Sequence, residues 1–160
     1  PPLSGFIREI YASARPMVGI CFGHQIIAQV LGGRVEKFSG GWAIGRHDYS
    51  FKGHGDVTLN AWHQDQITVL PPDAQVIASS PFCQFAALVY GQKAFTVQPH
   101  PEFSNSVFDD YVKSRRSSPV YPAAFMERAD QLRGVPIQNS AIAEDIAAFL
   151  KGKYRLEARI

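Results

Sequence analysis

The sequence predicts an α/β layered fold built on a parallel sheet, and three consecutive segments carry that prediction. Residues 2–14 set Leu3, Phe6, Ile7, Ile10 and Tyr11 at the spacing of one helical face. Met17-Val18-Gly19-Ile20 reads as a short buried strand, and residues 23–31 read as a second helix closed by Gly32-Gly33. Helix, buried strand and helix in succession are what such a layered fold requires.

The remaining elements follow from the same signals. Pro2 and Ser4 stand at the start of the first helix, and Arg15-Pro16 ends it, because the residue before a proline is pushed out of the helical region. Strands are predicted at 34–38, 46–51, 57–61, 75–79, 85–90 and 94–98, separated by clusters of Gly, Pro and Asp. The glycine-rich stretch 39–56 reads as a loop-flanked hairpin, not a linker. Helical periodicity returns at 104–116, 122–133 and 140–151, with Gly134-Val135-Pro136 between the last two. No repeat or second domain is visible, so residues 1–160 are expected to form a single domain.

Composition excludes several classes of function. The chain has 160 residues, of which 46% are hydrophobic and 19% charged, the profile of a globular protein with a real core. Lys and Arg number 16 against 14 Asp and Glu, and only Arg115-Arg116 are adjacent, so no nucleic-acid stripe is expected. No apolar run approaches the ~20 residues needed to cross a bilayer. Two cysteines are too few for a disulfide framework and suit a reducing, cytoplasmic compartment. The chain opens Pro1-Pro2-Leu3 and reads as cut from something longer.

Two motifs carry chemistry. Residues 19–23, Gly-Ile-Cys-Phe-Gly, stand where the buried strand hands over to the helix, the pattern of a nucleophile elbow with cysteine as nucleophile. The glycines are expected because side chains two residues either side of Cys21 would collide with neighbouring strands. The turn would lift the sulfur to the sheet edge at a helix N-terminus, where the dipole favours an anion. The Phe22 N–H would then face an oxyanion on an attacked carbonyl. Alone, the elbow reads equally well as a small buried hydrophobe ending a strand.

The second motif, Gln98-Pro99-His100-Pro101-Glu102, follows a predicted strand. The prolines restrict their neighbours to extended backbone, and residues two apart then project to the same side. Glu102 can therefore orient the His100 imidazole, and nucleophile, base and orienter would converge at one sheet edge. His24 suggests metal ligation, but zinc normally takes four ligands and histidines 47, 54, 63 and 100 make no ligand pattern. Neither a metal nor another cofactor is expected.

Together, Gly19-Ile20-Cys21-Phe22-Gly23-His24-Gln25 and Gln98-Pro99-His100-Pro101-Glu102 resemble the signature of class I glutamine amidotransferases. Leu31-Gly32-Gly33-Arg34-Val35 is similar to the stretch that follows the nucleophile helix in those domains. His63-Gln64-Asp65-Gln66-Ile67 is similar to a segment of the GMP synthetase amidotransferase domain. The likeness runs from about Pro16 to Phe103. It implies a three-layer flavodoxin-like fold with a central, mostly parallel sheet, and glutamine as substrate. Cys21 would be the nucleophile, with His100 and Glu102 completing a triad. Gln25, His63, Gln64 and Asp65 would line the substrate pocket. On the residues alone, Gln25 also reads as a solvated helix residue, and His63 and Asp65 as turn caps.

The sequence departs from the family pattern in two places. Pro99 stands where many members have an aromatic residue. The family's opening strands, with a glycine-rich loop that gives a second oxyanion N–H, precede the nucleophile by more sequence than stands here. Loss of one such donor typically costs ~10²–10³ in rate. The implied activity is hydrolysis of glutamine's side-chain amide through a γ-glutamyl thioester, with a synthetase partner as a potential acceptor of the ammonia. The alternatives are a hydrolase or transferase of γ-glutamyl peptides or conjugates, and a non-enzymatic thiol sensor or chaperone-like protein.

Overall fold

A computed structural model describes residues 2–156. The elements in chain order are α1 (Pro2–Ala12), β1 (Met17–Ile20), α2 (Phe22–Val30), β2 (Arg34–Lys37), β3 (Ala43–Phe51), β4 (Gly55–His63) and β5 (Asp65–Val69). They continue with β6 (Gln75–Ser79), β7 (Ala87–Tyr90), β8 (Ala94–Val97), α3 (Asn105–Arg115), α4 (Ala123–Gln131) and α5 (Asn139–Leu150). Six strands form one sheet in the order β1-β8-β7-β6-β3-β4, and β2 and β5 form a separate antiparallel pair.

Helices cover both faces of the sheet, as a three-layer α/β fold requires. Side chains alternate between faces along each strand. Leu88, Tyr90 and Ala94 therefore pack with Ile7 of α1 and with Ile27 and Ala28 of α2. Their neighbours Val89, Phe95 and Val97 pack with Ile142 and Phe149 of α5. A third cluster seats Phe108 and Val112 of α3 and Met126 and Ala129 of α4 against Ile44 of β3. Arg46, buried in β3, pairs with Asp109 at 2.7 Å and fastens α3 to the sheet.

The expectation of a mostly parallel sheet needs correcting in its pairing. Among the described residues only β1 and β8 pair in parallel, and the other neighbours in the six-stranded sheet are antiparallel. For two of those pairs the reason is the length of the connection. A turn at 52–54 joins β3 to β4, and one at 91–93 joins β7 to β8. Such short links permit only antiparallel neighbours, whereas β1 and β8 are far enough apart in the chain to run side by side. The predicted hairpin over 39–56 is present as β3 and β4, with longer strands. Strand β5 was not foreseen.

The sheet also curls. His100, just beyond β8, donates its backbone N–H to the Asn60 carbonyl of β4 at 2.8 Å. This contact brings the far edge of the strand order round to the neighbourhood of β1. The β1–β8 register, Ile20 opposite Val97, continues with the Cys21 N–H bonded to the Val97 carbonyl at 2.9 Å. Cys21 and the 98–102 segment thus leave the sheet side by side.

Candidate active site

Cys21 occupies the bend between β1 and α2 with φ 51° and ψ −102°, in backbone space that side chains other than glycine rarely enter. Gly19 makes the bend feasible. A Cβ there would stand 2.7 Å from the Gly23 carbonyl and 2.8 Å from Ile27. The expected clash is therefore with α2, not with a strand. At Gly23 a Cβ would meet nothing within 4 Å, so that glycine is not required on this ground. Phe22 is the first residue of α2, where a backbone N–H has no partner within the helix.

Three groups surround the sulfur. The Trp62 carbonyl, on β4, lies 3.9 Å from Sγ as an acceptor for the thiol. The Gln98 amide, fully buried, donates toward Sγ at 3.7 Å. The His100 side chain lies near enough to Cys21 for the sulfur to act on its pKa, and its Nδ1 is 2.6 Å from the Glu102 carboxylate. Nδ1–H donates to that carboxylate, which leaves Nε2 for the sulfur. Burial alone would lower the pKa of His100. Hydrogen bonds and charge from Cys21 and Glu102 outweigh it and raise the value to about 9. The imidazole also stacks on Phe103, with ring centres 4.5 Å apart and planes within 7°.

A pocket of about 360 Å³ opens beside Cys21, a size suited to a small ligand. Its polar lining includes all four residues expected to line a substrate pocket: Gln25, His63, Gln64 and Asp65. His63 ends β4 and Asp65 begins β5, on either side of the bend at Gln64. The Asp65 carbonyl accepts from Gln25 Nε2 at 2.8 Å and from His63 Nδ1 at 3.3 Å. Gln25 Nε2 donates also to Gln98 Oε1 at 3.1 Å, so Gln25 is a built-in wall residue and not a solvated one. His63 is 4% exposed, and its Nε2 has no hydrogen-bond partner. Burial lowers its pKa to about 3, so the ring is neutral and Nε2 is a bare acceptor.

Sequence reasoning missed other residues here. Lys37 supplies a cation to the lining, and Trp42, Trp62, Tyr111 and Tyr121 form its aromatic part, ring against ring. Gln98 was part of a motif but had no assigned contact. None carried a local signal, since each reaches the pocket through pairing or packing distant in sequence. His24 is fully buried, with its nitrogens held by Thr96 Oγ1 at 2.7 Å and the Phe85 carbonyl at 2.9 Å, which leaves no lone pair for a metal. Burial lowers its pKa to about 3. Cys83 is buried, and burial pushes its thiol up to about 12, in keeping with a packed residue.

The glutamine amidotransferase class-I family model matches residues 3–116, well over half the chain. The chain belongs to the class I glutamine amidotransferase family. Among curated members of that family, a glutamine amidotransferase-like protein of Schizosaccharomyces pombe is 30% identical over 141 residues, covering 84% of this chain and 57% of the relative. Gamma-glutamyl peptidase 3 of Arabidopsis thaliana is 30% identical over 129 residues, covering 72% of this chain and 52% of the relative. The glutamine-hydrolyzing GMP synthase subunit of Archaeoglobus fulgidus is 39% identical over 101 residues, covering 58% and 55%. The chain thus spans just over half the length of each of these relatives.

The fold agrees with that of solved members. A glutamine amidotransferase from Methylobacillus flagellatus superposes with a TM-score of 0.74 at 21% identity, covering 97% of this chain and 70% of the other. One from Thermotoga maritima gives 0.71 at 23% identity, covering 92% and 67%. Among the described residues no helix is long and apolar enough to cross a membrane.

Proposed function

We propose that the protein hydrolyses the side-chain amide of glutamine, with Cys21 as nucleophile, His100 as proton carrier and Glu102 as its orienter. One observation carries the reading: Cys21 and the segment bearing His100 leave the sheet side by side, with the Cys21 N–H on the Val97 carbonyl and the His100 imidazole held by the Glu102 carboxylate at 2.6 Å. An imidazole so held can take the thiol proton as the sulfur attacks and release it later. The sulfur adds to the carbonyl carbon of the glutamine side-chain amide, and the Phe22 N–H supports the resulting oxyanion. As the C–N bond breaks, His100 gives its proton to the nitrogen, which leaves as ammonia. The now neutral imidazole takes a proton from water, the hydroxide attacks the γ-glutamyl thioester, and glutamate departs. The returned proton restores the starting pair.

The polar side of the pocket suits the amino-acid head group. Lys37 complements the α-carboxylate, Asp65 the α-ammonium, and the unpartnered His63 Nε2 can accept an N–H from it. We infer that Gln25 contributes through its amide oxygen, since its N–H groups are already committed, and that Gln64 adds a polar contact. The relatives named GMP synthase support a synthetase that takes up the ammonia. Among the described residues β1 pairs only with β8, so its other edge is open to a further strand. That edge is where the family's opening strands are proposed to sit. Cys21→Ala in the full chain should abolish glutamate release from glutamine, and retained turnover would refute the assignment.

A second reading keeps the chemistry and changes the leaving group. The gamma-glutamyl peptidase relative supports it, as does the aromatic side of the pocket, which ammonia would leave uncovered. Glutamine and γ-glutamyl dipeptides assayed side by side separate the two.

A further inference from the structure

We propose that the aromatic side of the pocket is a subsite for the amine half of a γ-glutamyl amide, and that this amine carries an aromatic ring. The inference rests on the thioester reading and specifies where the leaving group lies. The geometry begins at the proton donor. His100 is stacked on Phe103, whose ring centre lies 6.5 Å from that of Tyr111. Tyr111 meets Trp62 at 4.5 Å, Trp62 meets Tyr121 at 4.9 Å, and Tyr121 meets Trp42 at 5.0 Å, the last three edge to face. A continuous aromatic run therefore links the imidazole that must protonate the departing nitrogen, through Phe103, to the four rings that line the pocket.

The two sides divide the substrate. The glutamyl half has a zwitterionic head that needs the polar side, and its scissile carbon must sit at Cys21. What lies beyond the scissile bond must then face His100 and the aromatic run. Ammonia presents no surface to these rings. An aromatic amine fills the space edge to face, an arrangement that adds to simple burial. The wall is fixed before any ligand arrives. Trp62 packs on buried Phe108 at 5.9 Å, and Trp42, Trp62, Phe103 and Tyr121 rest on the cluster built from Ile44, Phe108 and Met126.

The test is steady-state hydrolysis by the full chain of glutamine, γ-glutamyl-glycine and γ-glutamyl-phenylalanine. The phenylalanyl substrate should lead the glycyl one in kcat/KM by roughly ten- to hundredfold. The ratio should fall toward one in Trp42→Ala and in Tyr121→Ala. Equal kcat/KM for the two dipeptides in the parent protein overturns the proposal without recourse to any variant, and so does a lead that persists in both variants. Glutamine turnover without an aromatic preference would leave the thioester reading standing and remove only the subsite. No turnover of any of the three would remove both.

Discussion

Gly19→Ala perturbs the elbow at its tightest point. The added Cβ would lie 2.7 Å from the Gly23 carbonyl carbon and oxygen, whereas ordinary contact begins near 3.4 Å. The first turn of α2 would have to retreat by 3.4 − 2.7 = 0.7 Å. Ile27 can move its terminal methyl, but the backbone of Gly23 has no rotamer to change. Overpacking of this kind costs about 1–3 kcal/mol, and the upper end is expected where the obstacle is backbone. The same retreat displaces the Phe22 N–H from the sulfur's reaction path, and a misplacement near 1 Å costs roughly 100-fold in rate. Gly23→Ala is the matched control. Its Cβ meets nothing within 4 Å, so stability should hold or rise by up to about 1 kcal/mol from the better helix former. Urea denaturation gives the first quantity, and kcat for glutamate release from glutamine gives the second. A Gly19→Ala protein that melts and reacts like its parent would refute the reasoning, as would a Gly23→Ala protein that loses stability as severely.

Three further outcomes are expected. The His100 ring should titrate near pH 9 by NMR and fall below that in Cys21→Ala, which removes one cause of the rise. Because the folded value lies above the unfolded one, the stability this group contributes is fully present below about pH 6.5 and is lost as pH rises through about 9. A midpoint near 6.5 in the parent would contradict the ion pair. His24 and His63, both lowered to about 3 by burial, act in the opposite sense. Stability should decline as pH falls from about 6.5 toward 3, by at most about 1.4 kcal/mol per pH unit for each ring; urea melts at pH 7, 6 and 5 that superimpose would rule this out. Gln98→Leu removes the N–H aimed at the sulfur and strands a Gln25 donor, which should cost about 1–3 kcal/mol of stability and slow Cys21 alkylation; unchanged melts and alkylation would show the network to be idle.

Much of this molecule was legible wherever the deciding interaction is local. Strand β1, helix α2, the hairpin and the three C-terminal helices follow from periodicity and from Gly and Pro punctuation. The elbow follows from glycine spacing, and Glu102 beside His100 from extended backbone between prolines. Where a partner far along the chain decides the outcome, the reading failed. Asp65-Gln-Ile-Thr-Val is a strand because it pairs with Arg34–Lys37, and nothing in the five residues announces that partner. Strand direction failed for the same reason, since a buried run reads alike whichever way its neighbour points. Trp42, Trp62, Tyr111 and Tyr121 are each ordinary core candidates in sequence, and only the fold gathers them beside Cys21. The requirement for Gly23 was overstated because a pattern cannot tell which of two symmetric glycines touches something.

The curl of the sheet has a consequence for how the reactive centre would fail. β1 and β4 stand at opposite ends of the pairing order, yet the Cys21 sulfur sits against the Trp62 carbonyl and His100 hangs from Asn60. Their spacing is inherited from the rungs between them, including the narrow join where Ser50 and Phe51 meet Ser79 and Ala78. A transplant of residues 19–23 and 98–102 into another host would carry the side chains without the ruler that spaces them. By the same logic, damage at that distant join would carry the Trp62 carbonyl away from the sulfur while Cys21 stayed beside Val97.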